Sequence, residues 1–203
     1  MKNKNRILLI VFCLLLLCII FAISNIYSKK NTYKVWVKEY LGNRYLENMT
    51  VKNIYFNDMG YCAVVATDDL PDLDFKVMAK YTDRYLERVL EYIAEQDIEK
   101  LLNYCKCTAS MFSMESIENP YPELYELYKK LKRPPTWNDV PQYVRLNELF
   151  IRTNGELSMN DANKIMQNLQ ECNFTAHNVD IIGTNKSYSF AYDEQMHKYN
   201  YKE

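Results

Sequence analysis

The chain has 203 residues, of which 25 are Lys or Arg and 26 are Asp or Glu, and its formal net charge is −1. Residues 1–30 contain five of the basic residues and none of the acidic ones, so residues 31–203 carry a net charge near −6. This charge argues against nucleic acid or anionic lipid as the partner of residues 31–203. A negative domain of this kind is either simply soluble or suited to a neutral or basic partner.

An unbroken apolar run occupies residues 7–23 and organises the rest of the chain. At about 1.5 Å per helical residue, residues 7–27 cover the roughly 30 Å hydrocarbon core of a bilayer. A basic tail of six residues precedes the run, as in an export signal. The run therefore predicts a bilayer-spanning helix.

We expect residues 1–30 to form a cytoplasmic tail and an uncleaved signal-anchor, which places residues 31–203 outside the cell as a single-pass membrane protein. The alternative is a cleaved signal and a secreted product. Ala22-Ile23-Ser24 offers a cleavage site near Ser24, although the apolar run is longer than in most cleaved signals.

A helical stripe of apolar residues follows the apolar run and predicts a helix that continues from it. Alternating or β-branched segments then predict strands at 49–56, 61–67 and 73–80. Thr82 is suited to cap a long helix, which the apolar spacing carries to Cys105. The stretch 108–119 is irregular, with room for a short strand.

Pro122 suits the first turn of a shorter helix. A strand is predicted at 144–152, and Ser158 with Asp161 forms a capping box for another helix. Two strands, 175–182 and 187–192, complete the predicted elements, and the polar tail from Gln195 is expected to fray.

Hairpins that follow one another indicate an α+β fold with antiparallel sheets and helices packed on one face. The segments 48–56 and 173–181 resemble each other, and each follows a helix and precedes a turn. One interpretation is a duplicated helix–hairpin unit, with sub-units at 33–107 and 140–194. The other is convergence of two short helix-to-strand junctions.

Residues 40–77 carry a pattern seen in small exported or membrane-anchored proteins of Gram-positive bacteria. Its positions are Tyr40-Leu41, Tyr45, Val51-x-Asn53-Ile54, Gly60-Tyr61-x-Ala63-x-Val65 and Pro71-Asp72-x-Asp74-Phe75-x-Val77. Over this segment the chain resembles proteins with a PepSY- or cystatin-like module. The resemblance implies a helix on a curved antiparallel sheet and a non-enzymatic binding role, as in immunity proteins that guard against secreted toxins.

Four cysteines lie outside the apolar run: Cys62, Cys105, Cys107 and Cys172. In an oxidising compartment they allow one or two disulfides, whose pairing the spacing does not choose. Free buried thiols are the second interpretation. A metal site is the third, although structural zinc sites use C-x₂₋₄-C pairs rather than C-x-C.

The sequence contains no catalytic or cofactor signature. There are two histidines, His177 and His197, and neither a nucleophile elbow nor a P-loop nor a dinucleotide fingerprint occurs. The acidic turn at 68–74 lacks the register of a calcium loop. We therefore expect no enzyme, no cofactor and no metal site.

Tyr121, Tyr125, Tyr128 and Trp137 form the candidate contact surface for a partner, because Tyr and Trp anchor many interfaces. Their spacing also fits ordinary core packing. The expected function is a membrane-tethered protein-binding module outside the cell, such as an inhibitor or immunity-like protein. The alternatives are an accessory envelope protein that acts through a membrane-protein partner, and an enzyme of unknown type.

Overall fold

The fold is α+β and divides into two compact units, Met1–Lys80 and Tyr81–Glu203, in a computed structural model. The predicted sub-unit 33–107 groups the long helix Tyr85–Leu102 and the strand after it with the first strands, but this helix and strand belong to the second unit. The structure describes residues 2–58, 60–78, 83–103, 105–111, 122–141, 144–193 and 198–202.

The first unit begins with helix α1, Lys2–Arg44. Its apolar part is exposed along its described length, and the most apolar 18-residue window has a mean hydropathy of 2.7. The helix is thus long and apolar enough to cross a membrane. It continues without a break, as predicted, into a second half that buries Tyr33, Val37 and Leu41 at spacings of four residues.

Three antiparallel strands, β1 Met49–Asn57, β2 Gly60–Thr67 and β3 Asp74–Met78, form the sheet of the first unit in the order β1-β2-β3. The second half of α1 packs on β1 and β2. The Tyr33 hydroxyl donates a hydrogen bond to the Val77 carbonyl oxygen at 2.9 Å, which fixes the helix against the sheet. A bulge between Val51 and Asn53 shifts the β1 register.

The second unit contains three helices, a 3-10 turn and a five-stranded sheet. These are α2 Tyr85–Leu102, β4 Cys105–Ser110, α3 Pro122–Leu131, the 3-10 turn Trp137–Asp139, β5 Leu146–Thr153, α4 Met159–Glu171, β6 Ala176–Ile182, β7 Ser187–Asp193 and β8 Lys198–Lys202. The predicted helices at Pro122 and after Ser158 are confirmed, and Ser158 and Asp161 form the capping box. Thr82, the predicted cap of α2, lies outside the described residues.

The five-stranded sheet has the order β4-β5-β6-β7-β8 and is mixed. The prediction of purely antiparallel strands is wrong for β5 and β6, which pair in parallel. Helix α4 connects these two strands and carries the chain back to the end of the sheet where β5 started. One crossover of this kind does not make a doubly wound sheet, because the remaining pairs are antiparallel.

The described part of the polar tail, Lys198–Lys202, forms strand β8 where the sequence predicted fraying. Strand β8 pairs with β7, and the Tyr199 hydroxyl both accepts from the Ala176 amide at 2.7 Å and donates to its carbonyl oxygen at 2.8 Å. The alternation of Tyr199 and Tyr201 with polar residues is a strand pattern that the sequence analysis did not use.

Strand β4 starts at Cys105, which the sequence analysis assigned to the helix. As an edge strand, β4 points every second backbone N–H away from its neighbour β5. Carboxylates of α2, spaced four residues apart, accept these N–H groups. The pairs are Glu99 with Cys107 at 3.0 Å, Glu95 with Ala109 at 3.0 Å and Glu91 with Met111 at 2.7 Å.

The two segments that resemble each other occupy different places in their sheets. Both follow a helix and start a hairpin, since the chain order is α1-β1-β2 in one case and α4-β6-β7 in the other. However, β1 is an edge strand, whereas β6 lies inside its sheet. Asn173 turns the chain with a φ of 59° after α4. Duplication therefore stays a prediction.

Candidate functional site

Trp137, the centre of the predicted contact surface, is a packing residue. Its side chain is 8% exposed and stacks on Phe174 with ring centroids 5.7 Å apart. The indole N–H donates to the Asn173 carbonyl oxygen at 3.1 Å. Trp137 thus holds the connection between α4 and β6, and a partner would reach little of it.

The other predicted aromatic residues do not complete an exposed surface. Tyr128 is buried on α3, and its ring stacks on the half-buried ring of Tyr125 at 6.5 Å. The Lys129 ammonium lies 4.5 Å above the Tyr125 ring. Tyr121 lies outside the described residues. The core-packing interpretation therefore accounts for Tyr128 and Trp137, and Tyr125 alone presents a partly open ring.

Cys62, Cys105, Cys107 and Cys172 are free thiols in the structure, and the disulfides that the sequence allows stay a prediction. Cys105 and Cys107 are buried on β4, and burial raises the pKa of both thiols, so they are neutral at physiological pH. Cys62 is buried in the first unit, and Cys172 is exposed after α4. No group of three His, Cys, Asp or Glu side chains suited to a metal occurs among the described residues.

An open surface of the second unit does occur on the five-stranded sheet. The side chains of β4 and β5 alternate between buried and exposed, and the exposed set includes Phe150, which is 37% exposed. A shallow cleft of about 280 Å³ lies here. We call its lining the β4–β6 patch, which consists of Lys106, Thr108, Phe150, Arg152 and Ile182.

Strand register places the members of the β4–β6 patch side by side. Lys106 is the direct partner of Arg152, and Thr108 is the partner of Phe150 across the antiparallel β4–β5 pair. Ile182 is the partner of Arg152 across the parallel β5–β6 pair. Two cations therefore lie next to an apolar centre, with like charges directly opposite each other.

The charge of the β4–β6 patch is only partly balanced. The Lys106 ammonium lies 3.3 Å from a Glu99 carboxylate oxygen, but its own side chain is 80% exposed. Such an exposed ion pair contributes little stability and leaves the ammonium open to a second carboxylate. An arrangement of two cations around Phe150 is suited to bind a partner segment with an acidic and an apolar side chain.

The sequence contained a signal for this patch that the predictions did not use. In the strand Leu146–Thr153, Phe150 is an apolar residue at a position whose neighbours two residues away, Glu148 and Arg152, are charged. A large apolar side chain on a polar strand face marks a candidate contact residue.

A second open surface lies on the first unit. Trp36 of α1 is 38% exposed and stacks on Tyr33 at 5.4 Å and on Tyr40 at 5.3 Å. Phe56 of β1 is 70% exposed and meets Tyr61 edge-on at 5.2 Å. These rings follow the apolar half of α1 closely, as do the aromatic residues at membrane interfaces.

The two surfaces offer different contacts. The β4–β6 patch combines two cations with apolar side chains, and the first unit offers the contact area of aromatic rings. Comparison with protein-family models, with curated proteins and with solved structures finds no match to this chain.

Proposed function

We propose that the protein is a membrane-tethered binding module whose β4–β6 patch captures an acidic segment of a protein partner. The observation that carries the proposal is the exposed Phe150 beside Lys106 and Arg152, with Ile182 as the apolar neighbour of Arg152 on β6. An apolar anchor with charged neighbours is the common composition of a binding hot spot.

The tether of this proposal is the apolar half of α1. Its described side chains are exposed to the surroundings, and the same helix continues into the first unit. The short basic tail before the apolar run, as in an export signal, supports insertion with that tail inside the cell and residues 31–203 outside. Cleavage near Ser24 is the competing outcome and would release residues 31–203 from the membrane.

The net negative charge of residues 31–203 bears on how the β4–β6 patch would select a partner. Because that part of the chain is net negative, its charge as a whole does not favour an acidic partner, whereas Lys106 and Arg152 supply local positive charge on the β4–β6 patch. Such a distribution orients one partner on one face. An inhibitor or immunity-like protein of the kind implied by the sequence resemblance needs this selectivity.

The test compares two charge reversals in the full-length protein. We expect Arg152→Glu to abolish recovery of the partner from envelope fractions, and Phe150→Ala to weaken binding by about 2 kcal/mol, because both change the β4–β6 patch. Lys164→Glu is the matched control, since Lys164 is exposed on α4 outside the patch. Quantitative pull-down with labelled bait measures the recovery. Equal recovery with both charge reversals would reject the patch as the binding surface.

An accessory protein that acts through a membrane partner is the second candidate. The ring stack of the buried Tyr33, the exposed Trp36 and the half-buried Tyr40, beyond the end of the apolar run, favours it. Replacement of residues 7–23 by leucines keeps the tether but removes sequence-specific helix contacts. Loss of the partner in this variant, with recovery unchanged by Arg152→Glu, would favour the accessory role.

A further inference from the structure

A groove of about 460 Å³ lies in the first unit where α1 leaves its apolar half. Its lining combines one cation, two hydroxyl groups and three aromatic rings, which are Ser28, Lys29, Thr32, Tyr33, Trp36 and Tyr61. All of these residues except Tyr61 belong to α1, and Tyr61 comes from β2. The groove is thus formed between the helix and the β1–β2 hairpin.

The hairpin runs back along α1 toward its apolar half. The chain leaves α1 near Tyr45 and enters β1, yet the far end of β1 and the start of β2 return to the level of Tyr33. The Tyr33 and Tyr61 ring centroids are 5.6 Å apart. The pair Asn57 and Gly60 lies one residue beyond the Phe56–Tyr61 pair, so the end of the hairpin points toward the apolar run.

Helix geometry gives the level of the groove relative to a bilayer. Tyr33 follows Tyr27, the end of the apolar segment, by six residues, or about 9 Å along the helix. The headgroup layer of each leaflet is about 5–8 Å thick, since the bilayer measures roughly 40–45 Å with headgroups and 30 Å without them. Ser28, Lys29 and Thr32 therefore lie at headgroup level when α1 spans the membrane.

We propose that this groove binds the headgroup of an anionic phospholipid, with phosphatidylglycerol as the fitting chemistry. The inference rests on the membrane anchoring proposed above. The Lys29 ammonium attracts the lipid phosphate. The Thr32 hydroxyl donates to the Ser28 carbonyl oxygen at 3.0 Å, which leaves its lone pairs to accept from a glycerol hydroxyl. The rings of Tyr33, Trp36 and Tyr61 close the groove on the side away from the bilayer.

Lys29 is the cation of the groove lining, in a chain whose residues 31–203 are net negative. Lys30 precedes the same region but lies outside the lining. The position of Lys29 between Ser28 and Thr32 is what distinguishes a discrete site from general attraction of basic residues to the bilayer.

The test uses the full-length protein in nanodiscs of phosphatidylcholine with a small fraction of spin-labelled phosphatidylglycerol or spin-labelled phosphatidylcholine. Electron spin resonance measures the association constant of each lipid with the protein. We expect a preference of about fivefold for phosphatidylglycerol, the equivalent of ~1 kcal/mol for one lysine near the membrane surface. Lys29→Ala should lower the ratio clearly, because it removes the cation of the groove.

Lys30→Ala is the matched control, because it removes the same charge at the next residue, about 100° around the helix and outside the groove lining. It should keep most of the preference. Tyr61→Leu should also reduce the preference, whereas Phe56→Leu, on the same hairpin but outside the lining, should not.

Equal loss from both lysine variants would indicate general juxtamembrane attraction and overturn the proposal. No preference in the unaltered protein would overturn it as well. Incorporation into the nanodiscs is measured first. Failure of the protein to stay in the discs would count against the anchor itself, which separates the two proposals.

Discussion

At the scale of single residues, Glu87 is the most unusual group described. It lies on α2, is 3% exposed, and burial raises its pKa to about 7. The nearby Arg84 lowers this pKa, while Asp83 and Glu91 raise it further. A buried carboxyl with this environment holds a proton in the folded state that it loses in the unfolded chain near pH 4.5.

We expect Glu87→Gln to stabilise the protein at pH 8 and to have little effect at pH 4. The folded-state pKa lies above the unfolded one, so the favourable contribution of Glu87 is complete below about pH 4.5 and is lost as the pH rises through about 7. The difference corresponds to at most about 3 kcal/mol.

Thermal unfolding in detergent across this pH range measures the effect. Glu126→Gln is the control, because Glu126 has a side chain that is 70% exposed. A pH dependence that persists unchanged in the Glu87→Gln variant would show that other groups cause it.

At the scale of elements, the hydrogen bonds between α2 and β4 depend on a match between the residue spacing along a helix and the residue spacing along a strand. Four helical residues advance about 6 Å, and two strand residues advance about 6.7 Å. Glutamates at every fourth position of α2 therefore meet every second amide of β4. The carboxylates occupy the place of a neighbouring strand and keep the edge of the sheet from pairing with another chain.

Glu95→Ala should weaken this joint, because it leaves the Ala109 amide at the sheet edge without its carboxylate partner. We expect a loss of about 1–3 kcal/mol in unfolding free energy and faster hydrogen exchange at that amide. Glu95→Gln should restore most of the protection, since its amide oxygen also accepts.

Gln96→Ala, at an exposed position of the same helix, serves as the control. Unchanged hydrogen exchange at the Ala109 amide in the Glu95→Ala variant would contradict the role of the α2 carboxylates at the edge of β4.

At the scale of the whole molecule, the decisive feature is the continuity of α1 from its exposed apolar half into the packed half that carries Tyr33, Val37 and Leu41. A helix with no break between the two halves transmits the orientation of the apolar segment to the first unit. The lipid groove and the proposed tether therefore depend on the same helix.

We expect the full-length protein to stay in the membrane fraction after washing with alkaline carbonate, because residues 7–27 match the hydrocarbon thickness. Intact-mass analysis of the washed membranes checks the length. Digestion by added protease on intact cells should remove residues 31–203. A soluble product that begins near Asn25 would instead establish cleavage of a signal.

The local patterns of the sequence were sufficient for most elements. The apolar run predicted α1, helical spacing predicted α2, α3 and α4, and Ser158 with Asp161 predicted the start of α4. These features depend on residues within one or two helical turns, so a short segment of sequence contains the whole pattern that predicts them. The strand alternation of β7 likewise identified the element, although not its neighbours. The family resemblance and the disulfide pairing stay predictions.

Tertiary structure decided what those elements contact. The parallel pairing of β5 with β6, the order of β8 against β7, and the carboxylates of α2 on the edge of β4 join residues far apart in the chain. The same holds for Trp137, buried against Phe174, and for Phe150, left exposed. A periodic pattern states that one side of an element is apolar, but the partner that covers that side comes from elsewhere in the chain. Sequence by itself therefore determined the apolar helix and most of the other elements, although not β4 and β8, and packing decided which aromatic side chains remain available for binding.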